Sequence, residues 1–234
     1  METMAECWTE FEDAINAGVN RIVLFGPPGT GKTYMGMHYG VPDGVLAHRL
    51  QCTVDMTEGK ITGHMLPVSE SKWEFNTGPL PRAWEEAGRV VVDEVDKVGG
   101  DAESLLLGML DSPDSARWEH PITKKMWRPK EGFTAIMTTN LERMQDLPIA
   151  LSDRFPVKIR INQPHPSALA RLSQDIRRIA AASPDAKGER RFSLRAFEEF
   201  DKLRKQLGDA YAAKLIFRSQ AQGILDAIKV EAIA

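Results

Sequence analysis

The chain is expected to be an α/β protein: a sandwich of helices on either side of a parallel five-stranded sheet, followed by a small all-helical lid. Three observations carry that expectation. Short apolar runs that read as strands alternate with helical patterns, at an interval suited to parallel pairing through crossover helices. A loop with three glycines joins the first of these strands to a helix. After Asn162-Gln163-Pro164 the strand-like runs stop, and everything from Pro166 onward is patterned as helix.

Taken in order, Ala5, Trp8, Phe11, Ala14 and Ile15 recur at helical spacing and predict a short amphipathic helix before Gly18. Arg21 to Phe25 is the first strand. A helix opens at about Lys32, and Val45 to Thr53 is a second strand. Two short extended pieces flank Ser69 to Ser71 and predict a hairpin at about 61–80. A helix through Pro81 to Ala87 leads into the buried strand of Arg89 to Asp93. The apolar helix around Leu105 to Met109 follows, then a second hairpin at about 116–131, the strand Phe133 to Asn140 and the strand Val157 to Ile161. The expected domains are therefore 1–162, an αβα core, and 163–234, the helical lid.

Composition narrows the function classes. Hydrophobic residues make up 42% and charged residues 27% of 234 positions, an ordinary globular balance, and the net charge of -3 gives no global reason to expect a polyanion partner. Cys7 and Cys52 lie far apart and suggest reduced thiols rather than a disulfide framework. His38, His48, His64, His120 and His165 have no metal-ligand spacing. No basic leader precedes the first helix, and no apolar run approaches the roughly 20 residues of a membrane span. A soluble, cytoplasmic protein without a membrane partner is expected.

Gly26 to Thr33 matches G-x-x-x-x-G-K-T. Gly26, Pro27, Pro28, Gly29, Thr30 and Gly31 would turn successive backbone N–H groups inward around phosphates, and the following helix adds the positive end of its dipole. Lys32 would reach the β and γ phosphates of ATP, and the Thr33 hydroxyl would ligate Mg2+. The strand Val90-Val91-Val92 ends in Asp93 and Glu94. Beside a phosphate loop, Asp93 joins the magnesium shell and Glu94 serves as base for an attacking water; alone, the two would be solvated strand-terminal charges. Asn140 ends a further strand, where its amide either holds that water or caps the next helix. Arg154, closing "LPIALSDRF", is a candidate finger for a neighbouring subunit's site, or a solvated surface arginine. In "RWEHPITKKMWRPK", cations interleave with Trp118 and Trp127. Either this hairpin grips nucleic acid, or its tryptophans pack while its lysines stay wet; the acidic whole favours packing.

These motifs, in this order and spacing, resemble an AAA+ ATPase, and within it the dynein-related, MoxR-like group with an insert in helix 2, on a P-loop NTPase fold. The resemblance runs from "AINAGVNRIVLFGPPGTGKT" through "RLQCTVDMTEGKITG" and "WEFNTGPLPRAWEEAGRVVVDEVDK" to "ALSDRF". It implies that the first hairpin is the helix-2 insert and the second the hairpin before sensor 1, both facing the channel of a ring, with six subunits the expected number. It implies that Arg218, at the start of the final helix, resembles sensor 2. Whether Arg218 acts within its own subunit or on the next stays open.

The implied activity is ATP hydrolysis coupled to remodelling a client, an adaptor or an assembly, the client including proteins with a metal-ion-dependent adhesion-type domain. Glu94-Val95-Asp96-Lys97 departs from the Glu-Ile-Asn-Arg common in the group; Asp96 and Lys97 read as interface residues or as plain surface charge. "DMTEGKITG" lacks the aromatic pore loop of threading unfoldases. The rivals are a nucleic-acid motor or loader, including GTP-using restriction-type relatives, and a nucleotide-gated binding switch with negligible turnover.

Overall fold

The computed structural model describes residues 4–186 and 191–231. These fall into two compact units. The first holds Phe11–Phe25 and Lys32–Ile159. The second is built from the described residues of Met1–Glu10, Gly26–Gly31 and Arg160–Ala234.

In chain order the elements begin with α1 (Glu6–Asn16), β1 (Arg21–Phe25), α2 (Lys32–His38), β2 (Ala47–Gln51) and α3 (Glu58–Thr62). Next come β3 (Gly63–Ser69), β4 (Lys72–Thr77), α4 (Pro79–Glu85), β5 (Arg89–Asp93) and α5 (Gly100–Met109). β6 (Trp118–Glu119), β7 (Met126–Trp127), β8 (Thr134–Thr138), α6 (Ile149–Arg154) and β9 (Val157–Arg160) complete the sheet-bearing part. The main sheet has five strands in the order β2-β5-β8-β1-β9. The ladders β2/β5, β5/β8 and β8/β1 are all parallel. This is the αβα sandwich that the strand and helix alternation predicts.

Alternate strand residues serve opposite faces, as a two-fold side-chain period requires. Val23, Val90, Val92, Ala135 and Met137 join one core with Leu80, Trp84, Leu106 and Phe155. The intervening Ile22, Leu24, Val91 and Ile136 are equally buried. Against that second face α2 packs closely, because it presents a glycine: a Cβ on Gly36 would lie 3.2 Å from Val91 and 3.3 Å from Ile136. Continuous apolar runs such as Arg89 to Asp93 are what a parallel sheet covered on both faces demands.

Arg89 opens β5 inside this core, 2% exposed. Its guanidinium donates to the carbonyls of Gly36 (3.1 Å), Tyr39 (2.7 Å) and Gly40 (2.8 Å), which satisfies carbonyls in the last turn of α2 and just beyond it. Burial away from water lowers its pKa to about 10.

Two small antiparallel hairpins accompany the sheet. β3 pairs with β4, with an irregularity between Pro67 and Ser69, and β6 pairs with β7. They meet through aromatic rings: Phe75 lies 4.9 Å from His120 and 6.3 Å from Trp118, and Trp118 stands edge-on to Trp127 at 5.8 Å. The tryptophan faces of the second hairpin are thus engaged with protein, while Lys124 and Lys125 are exposed.

The second unit gathers α7 (Pro166–Leu169), α8 (Gln174–Ala182), α9 (Leu194–Leu207), α10 (Asp209–Phe217) and α11 (Ala221–Glu231). Their shared core holds Ile176, Phe197, Phe200, Ala213 and Phe217. Arg204 pins it, donating to both oxygens of Asp175 (2.7 and 2.8 Å) and to Asp201 (2.9 Å). One expectation is corrected. Arg218 does not begin the final helix; it sits in a separate turn of 3-10 helix, Arg218–Gln220, with φ at +52°, and α11 starts at Ala221. A left-handed residue cannot continue α10, so the chain turns there.

Candidate nucleotide site

The parallel register lines up the C-terminal ends of three strands. Gln51 of β2 lies beside Asp93 of β5, and Val92 beside Met137 places Thr138 of β8 on the other side of Asp93. Strand carboxyl ends are where open α/β sheets put their chemistry.

α2 brings Thr33 to this row. Thr33 Oγ1 donates to Asp93 Oδ1 at 2.8 Å, and Thr138 Oγ1 donates to the same oxygen. Arg49 holds the other oxygen, Oδ2, from Nε at 2.9 Å and Nη2 at 2.5 Å. Burial opposes ionisation of Asp93, but the hydrogen bonds from Thr138, Thr33 and Arg49 outweigh it and hold the carboxyl below its ordinary value. Lys32 is 6% exposed. Burial pushes its ammonium down to about 8, against the pull of Asp93, Asp96 and Glu94.

Glu94 is held in the left-handed region, φ +57° and ψ +46°, with its N–H on Thr138 Oγ1 at 3.2 Å. A non-glycine residue there carries strain that the surroundings must hold in place. Its Oε2 accepts from Gln51 Nε2 (2.8 Å) and Lys97 Nζ (2.6 Å), and its Oε1 lies 3.5 Å from Asn140 Nδ2. Thr139 Oγ1 donates to Asp96 at 2.6 Å, which fixes the turn after the strand. Cys52, next to this row and wholly buried, has its thiol pushed up to about 12 by burial and by Asp93, Asp96 and Glu94; it is an inert core thiol.

The loop Gly26–Gly31 belongs to the second unit and runs by chain continuity into Lys32. Gly26, Gly29 and Gly31 have φ of +120°, +78° and +98°, which only glycine adopts without strain. Thr30 Oγ1 donates to the Pro27 carbonyl at 3.1 Å and closes the loop on itself.

Lys32, Thr33, Asp93, Glu94 and Asn140 are thus brought together. Arg154 is not among them. At the end of α6 it donates to the Leu107 carbonyl (2.9 Å), the Ala150 carbonyl (2.7 Å) and Asp111 Oδ2 (3.0 Å), all within its own chain. Arg218 is exposed in the helical unit. Arg49, Gln51, Thr138 and the engaged Lys97 are contributions that motif reading missed. The polar alternation of Arg49 and Gln51 in an otherwise strand-like run was the available signal, but its meaning requires the register against Asp93.

The donor set can be tested against Mg2+. Thr33 and Asp93 offer hard oxygens 2.8 Å apart, one of them on a carboxylate held ionised. Among the described residues no group of three or more His, Cys, Asp or Glu forms a cage for a metal ion. A donor set of few protein oxygens suits Mg2+, which keeps its waters and takes substrate phosphates as ligands. Among the described residues no helix is long and apolar enough to cross a membrane.

Comparison with known proteins bears on the fold and the family. A solved structure from Cytophaga hutchinsonii, of a protein provisionally named an ATPase, matches with a TM-score of 0.50 at 16% identity, over 94% of this chain and 74% of its own; at that identity the likeness speaks for the fold alone. The uncharacterised protein YojN of Bacillus subtilis is 28% identical over 149 residues, 62% of this chain and 48% of its own length. Uncharacterised relatives in Staphylococcus epidermidis (28% over 160 residues, 64% of this chain and 59% of theirs) and Staphylococcus haemolyticus (26% over 142, 58% and 53%) are similar. The chain therefore spans about half the length of the curated relatives it matches. The profile of the AAA domain, dynein-related subfamily, matches residues 21–155, more than half of the chain and all of the strand row just described. The protein belongs to the dynein-related subfamily of AAA domains, a family of nucleotide-binding ATPase folds.

Proposed function

We propose that this chain hydrolyses ATP as one subunit of a MoxR-like ring and couples turnover to remodelling of a partner protein or assembly. The observation that carries the ATPase reading is the contact of Thr33 with Asp93 at 2.8 Å, beside a buried Lys32 and with Glu94 next in sequence. The family match supports nucleotide binding, and the rest is our reading.

In this reading the loop N–H groups of Gly26–Gly31 and the Lys32 ammonium grip the phosphates. Thr33 and Asp93 would hold Mg2+, which when bound neutralises charge on the phosphoryl oxygens. Glu94 takes a proton from a water whose oxygen attacks the γ-phosphorus, the bond to the bridging oxygen breaks, and ADP and inorganic phosphate leave. Asn140, next to Glu94 Oε1, orients that water. Glu94 must first give up Gln51 and Lys97, because a carboxylate oxygen that already accepts two donors is a poor base. Arg154 completes the neighbour's site only by exchanging its three contacts within its own chain, and Arg218 reports the phosphate to the lid.

One second reading has a specific observation behind it. With Glu94 Oε2 accepting from both Gln51 and Lys97, slow basal turnover is expected, which favours a nucleotide-gated switch until a partner releases the base. The deciding experiment is ATP binding and hydrolysis by the parent and by Glu94→Gln. ATP binding in both, with phosphate release in the parent alone, supports the ATPase. Equal, negligible release even with captured partners supports the switch, and no ATP binding sinks both.

A further inference from the structure

Beside the strand row, the base of the β3–β4 hairpin, α3, α4 and the edge strand β2 enclose a groove of about 440 Å3 lined by His48, Arg49, Lys60, His64 and Arg82. None of its lining residues is acidic. The two carboxylates paired with its lining residues are already assigned: Glu86 lies 2.5 Å from His48 Nε2, and Asp93 is held by Arg49. Asp55 feels the charge of Lys60 only at a distance. Among the described residues, neither Lys60 nor Arg82 has a carboxylate within ion-pair reach. Arg82 Nη2 donates instead to the Thr77 carbonyl (2.8 Å) and toward Asn76 Oδ1 (3.4 Å), partners that orient the guanidinium without neutralising it.

The groove is also built to a fixed width. Gly78 N–H donates to the Thr62 carbonyl at 2.9 Å, and a Cβ on Gly78 would lie 2.3 Å from the Ile61 carbonyl oxygen. One on Gly63 would lie 2.2 Å from the Asn76 oxygen. This close backbone crossing ties α3, which carries Lys60, to α4, which carries Arg82. Two unneutralised cations are therefore held facing one space before any ligand arrives, the arrangement that lowers the cost of anion binding.

We propose that this groove binds a phosphoryl oxyanion at a site separate from the phosphate loop, and that its occupancy draws Arg49 away from Asp93. A phosphoryl group is favoured over a lone carboxylate because its charge and oxygens engage an ammonium, a guanidinium fork and imidazole donors together. Arg49 is the link. It lines the groove and holds Asp93 Oδ2, so an anion in the groove competes with Asp93 for one guanidinium. By reciprocity, whatever loosens Arg49 from Asp93 strengthens anion binding in the groove. The coupling rests on the nucleotide-site reading, whereas the groove itself does not.

The test uses inorganic phosphate, followed by 31P NMR line broadening, on full-length Lys32→Ala protein, in which the phosphate loop is crippled and no hydrolysis interferes. Saturable phosphate binding is expected, weakened at least about tenfold by adding the exposed substitution Lys60→Gln, and similarly by Arg82→Gln. Adding Asp93→Asn instead frees Arg49 and tightens phosphate severalfold. Absence of saturable binding, or binding untouched by Lys60→Gln, overturns the groove. Affinity unchanged by Asp93→Asn in protein of parental circular dichroism overturns the link through Arg49. Should Arg82→Gln fail to fold, Lys60→Gln decides alone, since its side chain is exposed.

Discussion

Lys32 carries a charge into a 6% exposed position, and its pKa of about 8 records the cost. The sign follows from the depressed value: between about 8 and the ordinary 10.5 the unfolded chain binds the proton more tightly. Over that window this group's contribution to stability rises with pH, its cost being full below 8. Phosphates reverse the balance by stabilising the ammonium. ATP binding at a pH just above 8 is expected to take up a fraction of a proton, read by calorimetry in buffers of different ionisation enthalpy. Lys32→Ala is expected to weaken ATP binding about 10- to 100-fold, the worth of a lost charge-assisted contact. Glu94→Gln should keep ATP and lower turnover by about two to four orders of magnitude, the usual contribution of a positioned general base. Gln51→Ala is the complementary probe, because it removes one of the two donors on Glu94 Oε2. It is expected to raise basal phosphate release, and unchanged release would show that Lys97 alone restrains the base.

At the scale of elements, α2 links the two ends of the core. Its first residues, Lys32 and Thr33, face the strand row, and Arg89 ties its last carbonyls to the opposite end of β5. Arg89→Leu leaves three inward carbonyls without a donor, at about 1–3 kcal/mol for each that finds no water. A large fall in Tm is the expected reading, by calorimetry, with nucleotide binding weakened in step because the loop helix loses its anchor. The hairpins obey a different constraint. Gly78→Ala puts a Cβ against backbone rather than against a movable side chain, so the chain itself must shift. Overpacking of this kind costs roughly 1–3 kcal/mol. Two short extended pieces around Ser69 to Ser71 announced the β3–β4 hairpin in the sequence, but the ring contacts that join it to β6–β7 depend on Phe75 and His120, 45 positions apart (120 − 75), which no local pattern connects.

For the whole molecule, Arg154 separates two behaviours of an assembly. Three contacts at 2.7 to 3.0 Å hold it to α5, to α6 and to Asp111 of its own chain, so a role on a neighbour requires their exchange. A trans finger predicts that Arg154→Ala binds ATP and loses about three to five orders of magnitude of turnover, with partial rescue in rings mixed with Lys32→Ala, even though the loss of its own-chain contacts lowers Tm. A purely internal strut predicts a lower Tm and no rescue. The fold class, the glycine loop and the carboxylate pair were legible in the chain itself, because each depends on neighbours in sequence: apolar runs, glycines that permit left-handed backbone, charges at a strand end. Arg49, Gln51 and Thr138 were not, since their partners lie 42 to 45 positions away in sequence and meet only where parallel strands share a register. Arg154 was legible as a residue type and misleading as a free group. Whether a guanidinium is free depends on which carbonyls and carboxylates the packed helices bring to it, and that is a property of three dimensions alone.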